Sequence, residues 1–162
     1  MSIEKARTHL EKFGAADKII EFTVSSATVE LAAAALGCEP CRIAKSLTFG
    51  VNGTPVMVVA AGDAKVDNHR FKDFFGVKAK MLSADEVETL IGHAVGGVCP
   101  FGVNEGVKVY LDESLRRFDV VYPAAGSSNS AVKLTLAELE AYSGFEAWID
   151  VCKLPAECGA AQ

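Results

Sequence analysis

The sequence predicts an α+β fold, a mixed and mostly antiparallel sheet surrounded by helices, in one compact domain spanning residues 1–162. Three observations carry that expectation. Ile43 to Val51 and Thr54 to Ala61 are β-rich runs joined by Asn52-Gly53, the dipeptide best suited to the positive-φ positions of a tight hairpin. Ser83-Ala84-Asp85-Glu86 and Thr135-Leu136-Ala137-Glu138 have the Ser/Thr-x-x-Glu form of a capping box and open helices far from that hairpin. Strands and helices alternate irregularly, with no internal repeat and no dividing linker, which argues against a doubly wound parallel sheet.

At the start of the chain, Ile3, Ala6, Leu10 and Phe13 recur at helical spacing between a Ser2 cap and Gly14. Lys18 to Phe22 reads as a short strand. Ser25, Ser26 and Thr28 offer capping oxygens to an alanine-rich helix, Val29 to Leu36, stopped by Gly37. After the hairpin, Asp67 to Phe75 is a helix carrying Phe71, Phe74 and Phe75, followed by a short strand near Lys78 to Leu82. The helix from Ser83 ends at Gly92. Val107 to Leu111 and Val120 to Tyr122 are strands, separated by a short helix that Asp112 caps and that runs to Phe118. A strand at Val132 to Leu134 precedes the last helix, which reaches Tyr142, and the remainder, with Trp148 and an Ala/Gly/Cys tail, is expected to pack loosely.

Composition narrows the function classes. Half of the 162 residues are apolar, enough for a substantial core. Apolar runs such as Val56 to Ala61 are far too short to span a bilayer, so no membrane segment is expected. The first seven residues carry both charge signs and no apolar stretch, unlike a secretory signal, so a cytoplasmic location with reduced cysteines is expected. A net charge of -5, without any Lys/Arg run, argues against a broad nucleic-acid surface and against a DNA partner. A nucleic acid would be gripped over a small part only.

Two features stand apart. Gly96-Gly97-Val98-Cys99-Pro100-Phe101-Gly102 packs three glycines and a proline into seven residues, so it is a tight turn or a cradle of backbone amides for an oxyanion or phosphate. Alternation along Ile43 to Phe49 puts Lys45 on a face with Ile43, Leu47 and Phe49, the one charge in an apolar row. Such a lysine either snorkels to water at a sheet edge or lines a pocket and donates to an anionic or carbonyl oxygen.

Other chemistry lacks support. Dinucleotide, Walker-type, α/β-hydrolase and zinc-protease motifs are missing. Cys38-Glu39-Pro40-Cys41 has redox or zinc spacing, but no second ligand pair accompanies it, and it follows a helix instead of opening one. Neither a metal nor a cofactor is expected. Cys99, with His93 as its only plausible partner, reads as a wall of the site and not as its nucleophile.

With Lys45 and the glycine loop in view, the chain resembles the YbaK/ProX family of aminoacyl-tRNA deacylases, which includes domains associated with prolyl-tRNA synthetase. The matching pieces are residues 26–37, Ile43-Ala44-Lys45-Ser46-Leu47, residues 96–102, residues 109–115, Ala124-Ala125-Gly126 and Val132-Lys133-Leu134, in order over about residues 20–142. The resemblance implies hydrolysis of the ester joining a wrong amino acid to the tRNA 3′ end, in trans. It makes Lys45 the family lysine and Gly96-x-x-x-Pro100 its glycine-proline loop. On that footing Lys45, Gly97 and Gly102 are the expected catalytic positions. Thr28, Phe49, His93, Gly96, Val98, Cys99, Pro100, Phe101, Gly126 and Ser127 are the expected substrate-binding ones. The second loop, Gly126-Ser127-Ser128-Asn129-Ser130, lacks the Gly-Arg pattern of some relatives. Expected partners are the 3′ end of an aminoacyl-tRNA and a synthetase. A non-catalytic module binding a synthetase or an aminoacyl-nucleotide is the competing expectation, and a thiol-redox protein is a third.

Overall fold

The computed structural model describes residues 2–155. In chain order, α1 (Ser2–Glu11) and β1 (Ile19–Glu21) lead into α2 (Val29–Leu36), the hairpin β2 (Ile43–Val51) and β3 (Thr54–Ala61), then β4 (Lys65–Val66) and α3 (Asn68–Phe75). The second half holds α4 (Ala84–Glu86), β5 (Lys108–Asp112), β6 (Val120–Pro123), β7 (Ser130–Val132), β8 (Leu134–Thr135), α5 (Leu136–Ser143), β9 (Ala147–Ile149) and β10 (Cys152–Lys153).

The six-stranded sheet has the order β8-β6-β2-β3-β5-β9, with the pairs β1-β7 and β4-β10 beside it. Asn52 at φ 50° and Gly53 at φ 83° make the turn that joins β2 to β3, and Val51 pairs with Thr54 across it. Within the large sheet three of the five pairings are parallel. Over the three sheets four of the seven described pairings are antiparallel, so the mixed sheet is as expected and its antiparallel excess is small. Residues 56–61 of β3 are all buried, as a strand flanked by neighbours and covered on both faces requires. One cover comes from α3, whose Phe71 is fully buried with its ring centroid 4.7 Å from that of Phe49.

Local chemistry sets the helix ends. Thr28 accepts a hydrogen bond from the Leu31 amide and Gly37 closes α2 in the left-handed region. Asp67 caps α3 through the amides of His69 and Arg70, which holds its carboxyl below the usual carboxylate range. Both capping boxes form as expected, at Ser83 and Thr135. The helix opened by Ser83 continues from α4 as a wider π turn, Val87–Ile91, before Gly92 ends it.

Four expectations are corrected. The first helix includes Ser2 and stops at Glu11, leaving Phe13 43 % exposed. Lys78 to Leu82 forms only a bridge at Met81 opposite Phe49, because just two backbone bonds tie it to β2, from the Gly50 amide to the Lys80 carbonyl and from the Leu82 amide to the Thr48 carbonyl. The strand expected at Val132 to Leu134 is split at Lys133 into β7 and β8, which pair with different partners. The segment around Trp148 is not loose. It supplies β9 to the edge of the large sheet and β10 to β4, with Val151 and Cys152 buried. The Ala/Gly/Cys tail, Cys158 included, lies outside the described residues.

Candidate functional site

A cavity of about 350 Å³ opens where β2 meets the N-terminal end of α2, the loop after α4, β6 and β7. Lys45, Thr28, Gly96 and Val98 line it together, so the lysine and one end of the glycine loop share a wall as expected. Sequence reasoning did not pick out the rest of the lining, including Ser26, Ser46, Met81, Tyr122 and Ser130. Their convergence depends on pairings between distant segments, which no local pattern announces.

Lys45 is half-buried. Its Nζ donates to the carbonyl of Gly62 at 3.3 Å and to the carbonyl of Ala64, both on the turn that follows β3. An ammonium carries three N–H donors, so one is left for a ligand. Burial pulls its pKa below the ordinary lysine value, while Cys152 and the Asp63 carboxylate act the other way. The turn is itself held. Asp63 forms a two-pronged ion pair with Arg117, at 3.1 and 2.6 Å. A Cβ on Gly62 would lie 2.1 Å from the Pro40 carbonyl oxygen, so only glycine lets the turn approach that closely.

The glycine loop meets the cavity with Val95, Gly96 and Val98, and packs its other residues inward. Gly97 is buried against the second loop: a Cβ there would sit 2.6 Å from the Ser127 amide nitrogen, and its own amide donates to the Ala94 carbonyl at 3.0 Å. Gly126 and Ser127 thus back the glycine loop and are not part of the cavity lining. Gly102, at φ 73°, lies against the Lys5 carbonyl of α1, away from the cavity. Pro100 and Phe101 are buried, as are Phe49 in the aromatic core and Cys99.

His93 is fully buried and donates from Nε2 to the Phe101 carbonyl at 2.7 Å. Burial lowers its pKa, so it is a neutral brace of the loop. Cys99 Sγ lies 3.7 Å from the same nitrogen, and burial pushes its thiol up to about 12. A thiol so protonated and enclosed is no nucleophile. Cys38 and Cys41 are both free, Cys41 is fully buried, and burial raises the Cys38 pKa, opposite to the shift of a redox thiolate.

The cavity contains a break in sheet pairing. Ala44 pairs with Pro123 of β6. Two residues beyond Ser46, the Thr48 carbonyl accepts from the Leu82 amide at 3.1 Å, and the Gly50 amide donates to the Lys80 carbonyl at 3.0 Å. Residues 44, 46, 48 and 50 therefore direct their backbone groups away from β3, toward the same edge. Between β6 and the Met81 bridge, the N–H and C=O of Ser46 have no partner among the described residues.

Among the described residues no helix is long and apolar enough to cross a membrane, and no group of three or more His, Cys, Asp or Glu is gathered as metal ligands would be. Comparison with known proteins gives a consistent picture. The sequence profile of the aminoacyl-tRNA editing domain matches residues 23–142. YwhH of Bacillus subtilis strain 168, an uncharacterized protein, is 51% identical over 154 residues, 94% of this chain and 98% of its own. The proline--tRNA ligase of Bacillus cytotoxicus is 30% identical over 103 residues, 62% of this chain, which spans only 18% of that ligase. A crystal structure described as a candidate trans-editing enzyme for prolyl tRNA synthetase superposes with a TM-score of 0.84 at 30% identity, covering 94% of this chain and 97% of the other. Hypothetical protein APE2540 superposes with a TM-score of 0.82 at 27% identity, covering 92% and 99%.

Proposed function

The chain belongs to the aminoacyl-tRNA editing domain family, and on that premise we propose that it is a trans-acting aminoacyl-tRNA deacylase of the cytoplasm, freeing wrongly charged tRNA from its amino acid. The observation that carries the reading is the half-buried ammonium of Lys45, fixed by two carbonyls at the wall of a cavity it shares with Gly96 and Val98.

An aminoacyl ester is already activated, so the site needs to position water and stabilise a tetrahedral oxyanion, with no strong side-chain nucleophile. Lys45 donates its remaining N–H to the ester carbonyl as negative charge builds there. Water adds its oxygen to the carbonyl carbon, assisted by the neighbouring ribose hydroxyl of the substrate. The tetrahedral intermediate then expels the ribose oxygen, which takes one of the water's two protons while the other passes to solvent, and the amino acid leaves as its carboxylate. Gly97 and Gly102 contribute shape: one lets the loop lie on residues 126–127, the other lets it approach α1. A net charge of -5 fits a grip limited to the tRNA 3′ end, with a synthetase as a further partner.

The test is deacylation of a panel of mischarged tRNAs by the full chain, with turnover of at least one well above the spontaneous rate as the expected result. Copurification with a synthetase but no turnover on any charged tRNA would favour a silent binding module. A pH profile adds a second check. Lys45 works as the ammonium, and its pKa is lowered by burial. The enzymatic rate divided by the spontaneous rate is therefore expected to fall on the alkaline side, at a pH below the ordinary lysine range.

A further inference from the structure

We propose that the unpaired edge of β2 at Ser46 recognises the aminoacyl group as a one-residue strand, its C=O accepting from the substrate α-amino group and its N–H donating to the ester carbonyl. The inference rests on the deacylase reading and names how that site tells its substrate from other esters.

The gap has the size of one residue. Ala44 is paired on one side and the Thr48 carbonyl is taken on the other, so among the described residues facing that edge only Ser46 is left with both backbone groups unpaired. In an antiparallel pair, two directly opposed residues exchange an N–H and a C=O with each other. An aminoacyl ester offers that same set, an amino donor and a carbonyl acceptor on one α-carbon. A peptide segment would need a longer free edge than this.

Exposure agrees. Ser46 is partly exposed and lines the cavity, yet its Oγ is buried without a partner. Its hydroxyl is thus not what it presents to the cavity, which leaves its Cβ and its main chain. Among the described residues the lining has no Asp or Glu, so a backbone carbonyl is the natural acceptor for an amino group there. Alternation puts the Lys45 and Ser46 side chains on opposite faces of β2, so a ligand on the edge between them is reached by the lysine from one face. Lys45 and the Ser46 N–H then both address the ester carbonyl.

The test uses 3′-deoxy-3′-(L-alanylamino)adenosine, whose amide replaces the scissile ester, and its propanoylamino analogue, which is the same compound without the α-amino group. Amide hydrogen exchange and chemical shifts of the full chain are followed by NMR. The expected result is that the free-amine compound shifts the Ser46 N–H and slows its exchange, and that removal of the amino group weakens binding about tenfold or more, the loss of one well-made hydrogen bond. Ser46→Pro, which deletes that N–H without removing a β2–β3 ladder bond, is expected to weaken binding similarly. A Ser46 amide unmoved on binding, equal affinity for the compound without the amino group, or no binding of either compound overturns the proposal. Binding as expected, with no turnover of any mischarged tRNA, would instead sink the deacylase reading alone.

Discussion

Lys45→Ala is expected to lower deacylation about 100- to 1000-fold while leaving the protein folded, the range seen when a single oxyanion donor is removed from a preorganised site. The ammonium is preorganised because Gly62 and Ala64 hold it by their carbonyls. It therefore needs no reorganisation as charge develops. Its removal frees two carbonyls, one of them on the fully buried Ala64, so a stability cost of about 1–3 kcal/mol is expected. Single-turnover deacylation of the best mischarged substrate, with urea unfolding of the same preparation, separates the two effects. Lys45→Met, which keeps the stem and removes the charge, should lose as much activity. Undiminished turnover in either variant would take Lys45 out of the mechanism.

Gly62→Ala should damage both fold and chemistry. Its Cβ would meet the Pro40 carbonyl oxygen at 2.1 Å and Val29 Cγ1 at 2.8 Å, one of them backbone that cannot rotate aside. The turn must shift, and its carbonyl, which holds Lys45, shifts with it. A destabilisation of about 2–3 kcal/mol is expected by urea unfolding, as for overpacking of a tight site. Activity should fall at least tenfold under conditions where the variant is fully folded, a misplacement effect distinct from the stability loss. A stable variant with normal turnover would show that the turn does not govern the lysine.

How much of this was legible in the sequence depends on the range of the forces involved. Asn52-Gly53, the caps at Thr28, Ser83 and Thr135, and the closing glycines 37 and 76 act within a few residues, and each does what its chemistry predicts. Lys45 was recognisable as a misfit in an apolar row. Its partners were not, because Gly62 and Ala64 lie on a turn whose position depends on the close contact of Gly62 with Pro40. The glycine loop was visible as unusual, but the inward packing of Gly97, Cys99 and Phe101 follows from contacts with residues 126–127 and with α1. Likewise β9 and β10 are too short to show alternation, and only their partners make them strands. The opening at Ser46 is set by where β6 stops and the Met81 bridge begins, which is a property of three segments at once.

The β4-β10 ribbon begins directly after the turn that grips Lys45, since Lys65 follows Ala64 and pairs with Lys153. The Val151 carbonyl accepts from the Asp67 amide at 2.8 Å, and its N–H donates to the Asp112 carboxylate at 3.0 Å. These braces lie past residue 142, where the stretch shared with the editing domain stops. An excised fragment trimmed to residues 23–142 would keep the lysine and the cavity walls but lose the scaffolding behind the turn, so it is expected to hold Lys45 less firmly than the full chain.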